Sequence, residues 1–492
     1  MISPFFYGNP VPHDQFFGRG REVRRIVGRI ASGQSTAIVG EPRVGKTSLL
    51  IYLAAPKRRG ALYGESATNL IFSFVDIHTL GGSFNQAQFW SCALEPLAAV
   101  IAQEIGLKAT HARCVENQFG GFVLGQFFTH LGRAGHRLVL LLDEFDALLH
   151  HPILNNAEFF GSLRSVASRS QGLTLVVASR RTLTNLNADA FAFSQGGSPY
   201  FNFFSEVVLG PLTQRDTDAL LDRAGDRFST DDRRFVADIA GGHPYLVQVA
   251  ASALWEARQD DDTALTTRRL EVAESLCNEV AHTLDATWRA WSPAMQQVFG
   301  SVAAMHLRAT TTLHTLDAPS WYGRVGAPYI PPIVKNLTQQ DKVILLETIT
   351  EHASIDELKT IFFKLGVDYD NACRESKEGK VQELIQHLER KERLHELVPF
   401  YRELSPQIAL DTTTHPQPTV RFTPLPPEHI TRNFSQELRV LKQQGFIAED
   451  AATPGGWRVR PLVFLWWLVD AAGLLPTGAR PLIEAAVKGK MD

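Results

Sequence analysis

Eight consecutive residues, Gly40, Glu41, Pro42, Arg43, Val44, Gly45, Lys46 and Thr47, carry chemistry for a polyphosphate. They match the phosphate-cradling pattern G-x-x-x-x-G-K-[ST]. Gly40 and Gly45 let the backbone approach phosphate oxygens with its N–H groups turned inward. Lys46 would reach the β- and γ-phosphates, the Thr47 hydroxyl would ligate Mg²⁺, and Ser48 continues the nucleotide-binding run. A second set, Asp143-Glu144-Phe145-Asp146, ends the apolar run 136–142. Asp143 would hold the hydrated Mg²⁺, and Glu144 would polarise the water that attacks the γ-phosphate. The plainer reading of this set is a core strand running into an acidic helix start.

These groups need a scaffold. An apolar β-type run leads into Gly40 and a helix-forming tail leaves Thr47. Further strands are expected near 70–77, at 136–142, at 173–178 and from Glu206. Between them the spacing predicts a long helix within 84–105, another within 119–131, and one over about 156–170. Strands alternating with helices give a parallel sheet covered on both faces, an α/β P-loop NTPase whose ligands sit at the C-terminal strand ends. Ser179-Arg180-Arg181 falls at such an end.

Composition excludes little else. Lys plus Arg number 49 against 52 Asp plus Glu, a formal charge of −3, so bulk electrostatics favour neither nucleic acid nor membrane. The four cysteines form no C-x-x-C pair and fit neither a disulfide framework nor a zinc site. The start, MISPFFYGNP, has no basic segment followed by an apolar one. The apolar run 461–475 is too short for a span and contains Asp470. A cytoplasmic protein is expected.

Several of these segments resemble one family. The strand ending in Asp143-Glu144 is a Walker B pattern. Upstream, Phe16-Phe17-Gly18-Arg19 with Glu22 resembles the F-x-G-R-x-x-E segment of AAA+ and STAND ATPases, which implies that Phe17 and Arg19 close over adenine. Arg180 matches sensor 1 of AAA+ proteins, or the T-T-R or T-S-R element of STAND ATPases, which implies that it reads the γ-phosphate. Gly241-Gly242-His243-Pro244-Tyr245 resembles the STAND G-x-P motif, which implies that His243 and Pro244 pack on the base and couple a helical lid to nucleotide state.

Further on, 288–305 looks like the opening helix of a winged-helix domain. Its continuation comes only after Pro427, as a helix, a turn at Gly445, a strand, a Gly455-Gly456 hairpin and a second strand. Between the halves, bounded by Pro328, Pro331 and Pro332 and by a Thr- and Pro-rich stretch, lies a charged helical insert. Leu358, Ile361, Phe362 and Leu365 keep helical spacing, as do Val381, Leu384, Ile385 and Leu388, and Leu394, Leu397, Val398 and Tyr401. Thr338 with Asp341 and Ser354 with Glu357 are capping-box starts. The insert resembles bacterial effector-associated, death-like domains, which implies a partner carrying a like domain, met through the mixed charges of 389–393.

The expected division is 1–212 NTPase, 213–285 helical lid, 286–330 with 406–492 a split winged helix, and 331–405 the insert. The resemblance implies a STAND-type signalling ATPase of a prokaryotic conflict or antiviral system. It would use ATP/ADP and Mg²⁺, recruit an effector or adaptor, and form an ATP-dependent homo-oligomer. The rival is a DNA-handling AAA+ ATPase. Its winged helix would offer Arg432, Arg439 and Lys442, offset by Glu437, with Arg458 and Arg460 on the wing, a thin footprint for phosphate contacts. A nucleotide-dead scaffold fits poorly with Lys46, Thr47, Asp143 and Glu144 all in place.

Overall fold

The computed structural model describes residues 3–190, 199–258, 265–309, 346–347, 349–350, 353–365, 367, 369, 376–390, 397, 425–453, 455–470 and 483–484. The chain forms two compact units, one of residues 1–321 with 424–492, the other of 322–423.

In the first unit, α1 (Gly20–Ala31) precedes β1 (Thr36–Val39) and α2 (Lys46–Ala54). A short helix, α3 (Arg59–Tyr63), leads to β2 (Leu70–Asp76). Next come α4 (Gln86–Leu94), α5 (Ala98–Gln103), α6 (Ile105–Glu116) and α7 (Gly121–Arg133). Then follow β3 (Arg137–Asp143), α8 (Ala157–Arg169), β4 (Leu173–Ser179), α9 (Leu183–Ala190) and β5 (Ser205–Val208). Where one long helix was expected within 84–105, α4 and α5 are separate. Pro96, in a 3₁₀ turn between them, has no N–H to continue the ladder.

The strands pair in parallel in the order β2-β3-β4-β1-β5. Successive residues enter different cores. Leu138, Leu140 and Leu142 join α4, α7 and α8, whereas Val139 and Leu141 join α1 and α2. Both faces are therefore covered, and the strands read as unbroken apolar runs because neither side meets water. Truncating a central leucine such as Leu140, fully buried, would cost about 2–5 kcal/mol. Parallel pairing puts the ends of β1, β3 and β4 along one edge, with Val39 opposite Ser179 and Leu142 opposite Val177.

Beyond Pro211 come α10 (Gln214–Leu221), α11 (Thr230–Ala240), α12 (Pro244–Ala257), α13 (Leu265–Ala290) and α14 (Pro293–Ala309). Thr213 caps α10, and Ser229 with Asp232 forms a capping box on α11. The stretch 288–305, read as one opening helix, is divided: Trp288 belongs to α13, and the Ser292 hydroxyl accepts from Met295 N–H at the new helix start.

In the second unit, α15 (Ile355–Lys364) and α16 (Lys377–Arg390) carry the expected periodic residues into a separate core that also holds Leu397. Ser354 and Glu357 make both halves of the capping box, at 2.7 and 3.2 Å. Leu394, Val398, Tyr401, the Thr338–Asp341 pair, residues 391–393, Pro328, Pro331 and Pro332 lie outside the described residues.

Returning to the first unit, α17 (Pro427–Asn433) and α18 (Ser435–Gln444) are followed by an antiparallel hairpin, β6 (Ile447–Glu449) and β7 (Trp457–Val459). The second strand stops before Pro461, and the apolar run after it is a helix, α19 (Leu462–Asp470), not part of a strand. Phe464 and Trp467 of α19 pack with Trp288, Trp291, Phe299 and Phe446. The helices after Pro211 and the winged-helix elements share one hydrophobic core.

Cys114 and Cys277 are buried and Cys92 is exposed, without disulfides among these three; Cys373 lies outside the described residues. No described helix is long and apolar enough to cross a membrane.

Candidate functional site

At the sheet edge the loop from Gly40 to Gly45 turns tightly. A Cβ on Gly40 would sit 2.8 Å from Val44 and 2.9 Å from the Leu209 carbonyl oxygen, so only glycine fits. Gly45 caps α2 at φ 99°. Arg43 also has positive φ, 61°, and its guanidinium lies 4.3 Å above the Tyr245 ring of α12.

Lys46 is 5% exposed, and its Nζ donates to the carbonyls of Gly40 and Glu41 at 2.9 and 3.1 Å. Burial lowers its pKa, against the pull of Glu144, Glu41, Asp146 and Asp143. Glu41 is pushed up to about 7 by burial, with Lys46 and Arg180 acting the other way.

The end of β3 supplies the acids. Asp143, 3% exposed, hydrogen-bonds the Thr47 side chain and accepts the Glu144 N–H at 3.1 Å. Burial raises its pKa, and Asp76, its register partner on β2, raises it further. Glu144 takes a left-handed backbone, φ 50°, as the chain leaves the strand. Its carboxyl is raised by burial and lowered by Lys46. A non-glycine residue in this region at a strand end is the kind of backbone strain that clusters at functional sites.

The two arginines after β4 separate in role. Arg181 pairs with Asp189, whereas Arg180 is exposed and its backbone N–H donates to Asp146 at 3.3 Å.

A cavity of about 450 Å³ brings these pieces together, well within the range of small-ligand sites. Of the expected residues, Phe17, Arg19, the loop from Pro42 to Ser48, Glu144, Arg180 and Pro244 line it. Gly40, Glu41, Asp143 and His243 are not among its lining residues. His243 lies behind the loop, hydrogen-bonded to the Pro42 carbonyl, and burial depresses its pKa to about 4. Among the described residues its Nδ1 has no hydrogen-bond partner.

Sequence reasoning missed one wall altogether. Residues 6–11 line the cavity, tied by Phe6 N–H to Gln248 Oε1 at 2.7 Å and by Val11 N–H to Ser48 Oγ at 3.1 Å. Phe5 anchors that segment, buried and stacked on Phe228 at 5.7 Å. Tyr245, Gln248, Arg223 and His78 also face the space. In sequence the segment is a Pro-containing stretch, FYGNPV, without a motif. Asp76 was legible, since LIFSFVD ends as RLVLLLD does.

Of the five winged-helix cations, Arg432 of α17 and Arg439 of α18 are exposed, while two others pair with carboxylates. Lys442 bonds Glu449 at 2.6 Å and Arg458 lies 3.5 Å from Asp450. Asp238 of α11 is influenced by both Arg458 and Arg460. Burial lowers the Arg460 pKa.

Among solved structures, the chain is similar to the Walker-type ATPase paby2304 of Pyrococcus abyssi, at 12% identity and TM-score 0.40, covering 94% of this chain and 98% of that one. It is similar to the Aeropyrum pernix ORC2 protein, at 14% identity and TM-score 0.38, with 97% of each chain covered. It is also similar to the STAND protein with a tetratricopeptide repeat sensor, PH0952, from Pyrococcus horikoshii, at 14% identity and TM-score 0.32, covering 90% of this chain and 60% of that one. No curated protein matches it. The effector-associated domain 7 profile matches residues 345–406. The AAA-like domain profile matches residues 22–286, more than half of the chain, and includes the phosphate loop, the acidic end of β3 and the Gly-Gly-His-Pro-Tyr turn; the protein is a member of the AAA-like domain family.

Proposed function

We propose that this chain is a STAND-type, ATP-operated signalling switch that recruits an effector through its inserted domain. The observation that carries the reading is the shared cavity, walled by the phosphate loop, by Glu144 and Arg180 from the sheet edge, and by Pro244 and Tyr245 from the helices beyond Pro211.

In this reading Gly40 to Gly45 cradle the phosphates, and Lys46 exchanges its two carbonyl partners for phosphate oxygens. The Thr47 hydroxyl and the Asp143 carboxylate, already hydrogen-bonded to each other, are hard oxygen donors that suit Mg²⁺. Bound there, the ion would neutralise phosphate charge. Glu144, with its carboxyl raised by burial, accepts a proton from the attacking water. Arg180 reads the γ-phosphate, and Phe17 and Pro244 flank the base. Nucleotide state reaches the helices after Pro211 because Tyr245 meets Arg43 of the phosphate loop directly.

The division into NTPase (1–212), lid (213–285), split winged helix (286–330 and 406–492) and insert (331–405) belongs to this proposal. So do a cytoplasmic setting in a conflict or antiviral system, a death-like partner for the insert, and ATP-dependent self-assembly. The effector-associated domain match supports the recruiting role. The pairing of Lys442 and Arg458 with carboxylates weighs against the DNA-handling alternative.

The test is calorimetry of ATP and ADP, with and without Mg²⁺, on the wild type and on Lys46→Ala. The wild type should bind both. The variant should lose on the order of 2 to 5 kcal/mol, since phosphate charge is left uncompensated. Unchanged affinity in the variant would end the ATPase reading.

A further inference from the structure

Arg19 does something the base-covering role does not explain. It is 5% exposed, and its guanidinium forks between two backbone carbonyls. Nη2 donates to Val44 at 3.2 Å and Nη1 to Pro211, also at 3.2 Å. The residue holds a left-handed backbone, φ 61°, while its own carbonyl accepts the Val23 N–H at 2.9 Å and so opens α1. Gly18 before it is packed so closely that a Cβ would lie 2.9 Å from the Asp216 carboxyl carbon.

The Val44 carbonyl and the Gly45 N–H belong to one planar, trans peptide and point in opposite directions. Holding the carbonyl toward Arg19 turns the Gly45 N–H away from the guanidinium, and Gly45 lines the cavity. The other arm of the fork ends at a junction. The Pro211 ring lies where a Cβ on Gly445 would come within 2.4 Å, and Gly210 is as tight against the Gln443 carbonyl oxygen, 2.5 Å from its would-be Cβ. Leu212 N–H donates to the Gly242 carbonyl of the Gly-Gly-His-Pro-Tyr turn at 2.8 Å.

We infer that Arg19 is a positioning residue for the phosphate cradle, orienting the Val44–Gly45 peptide toward a nucleotide's phosphates and tying it to the strand exit on which the winged helix packs. The inference rests on the ATP-binding reading and changes what Arg19 does within it. A guanidinium that packs on the base supports every adenine ligand alike; one that orients the cradle matters only to ligands with phosphates.

The experiment measures adenosine and ADP affinity by calorimetry for the wild type, Arg19→Ala and Arg19→Lys, with melting curves to establish that each is folded. Arg19→Ala should weaken ADP about 10- to 100-fold, the loss of hydrogen bonds from a charged donor, and change adenosine less than about threefold. Arg19→Lys keeps the charge without the fork and should fall between. Equal losses for adenosine and ADP, or unchanged ADP binding in either folded variant, overturn the inference. A wild type that binds no ADP overturns the ATP-binding reading as well.

Discussion

The phosphate loop and the winged-helix elements both set cations beside a strand, and they give them different hydrogen-bond partners. Lys46 of the loop, and Arg19 from the turn before α1, spend their direct hydrogen bonds on main-chain carbonyls, although carboxylates such as Glu144 and Glu41 act on Lys46 and Asp216 on Arg19. In the winged-helix region, Lys442 of α18 and Arg458 of β7 sit on the carboxylates of Glu449 and Asp450, while Asp238 acts on Arg458 and Arg460. Exchanging a carbonyl for a phosphate oxygen gains charge pairing; exchanging a carboxylate for one gains little. On the proposed reading, direct ion pairing, more than the number of arginines, separates the two regions.

The largest effect that would break this contrast is catalytic. Glu144→Gln keeps the side chain's shape and leaves Asp143 intact but cannot accept a proton, so turnover should drop about 10²- to 10⁴-fold while ATP binding persists. Parental turnover in single-turnover assays would move the base elsewhere.

Next in size is the pH response of the loop's surroundings. His243, depressed to about 4 from an ordinary 6.5, is neutral in the fold, so the unfolded chain binds more protons between those values. Its contribution is present above pH 6.5 and lost as pH falls toward 4, on the order of 3 kcal/mol. His306, also depressed to about 4 by burial, acts the same way. Glu41, raised to about 7, has the opposite sign: its contribution is full below about 4.5 and lost as pH rises through 7. The melting advantage of the wild type over His243→Gln should therefore shrink on acidification, and that over Glu41→Gln should shrink toward pH 8. Parallel melting curves at all pH values would contradict both assignments.

A smaller effect is expected at the boundary between the two regions. Gly445 has φ 85° and no room for a Cβ beside Pro211, so Gly445→Ala should destabilise the chain by about 1–3 kcal/mol, read from chemical denaturation. A neutral result would mean that the winged helix is not seated on the strand exit.

The smallest effect belongs to the wing. Because these two side chains are paired with carboxylates, Lys442→Ala combined with Arg458→Ala should change affinity for duplex DNA less than about twofold and leave its salt dependence alone. A tenfold loss with a shallower salt slope would restore the DNA-handling alternative.

What could be read directly from the chain was local chemistry. The spacing of Gly40, Gly45, Lys46 and Thr47 states a loop geometry by itself, because only glycine tolerates those backbone angles and close approaches. The strand ending in Asp143 announces burial on both faces through its unbroken apolar run. The insert's helices were legible for the same reason, with Ser354 and Glu357 marking a helix start and periodic leucines marking a buried stripe. Pro96 was a signal not used, since one long helix was expected within 84–105 where two form.

Other features required distant segments to meet. Whether 461–470 is strand or helix could not follow from an apolar run that suits either; packing against Trp288 and Phe299 favours the helix. The cavity wall built by residues 6–11 depends on Gln248 and Ser48, far along the chain. The wing's charge looked available in sequence, yet Asp238, more than two hundred residues earlier, helps to neutralise it. Residue type and short spacing determine the backbone angles a loop can adopt and the faces an element must bury. Which charges remain free, and which carbonyl a buried arginine holds, is decided by contacts across long sequence separations, and those exist only once the chain has folded.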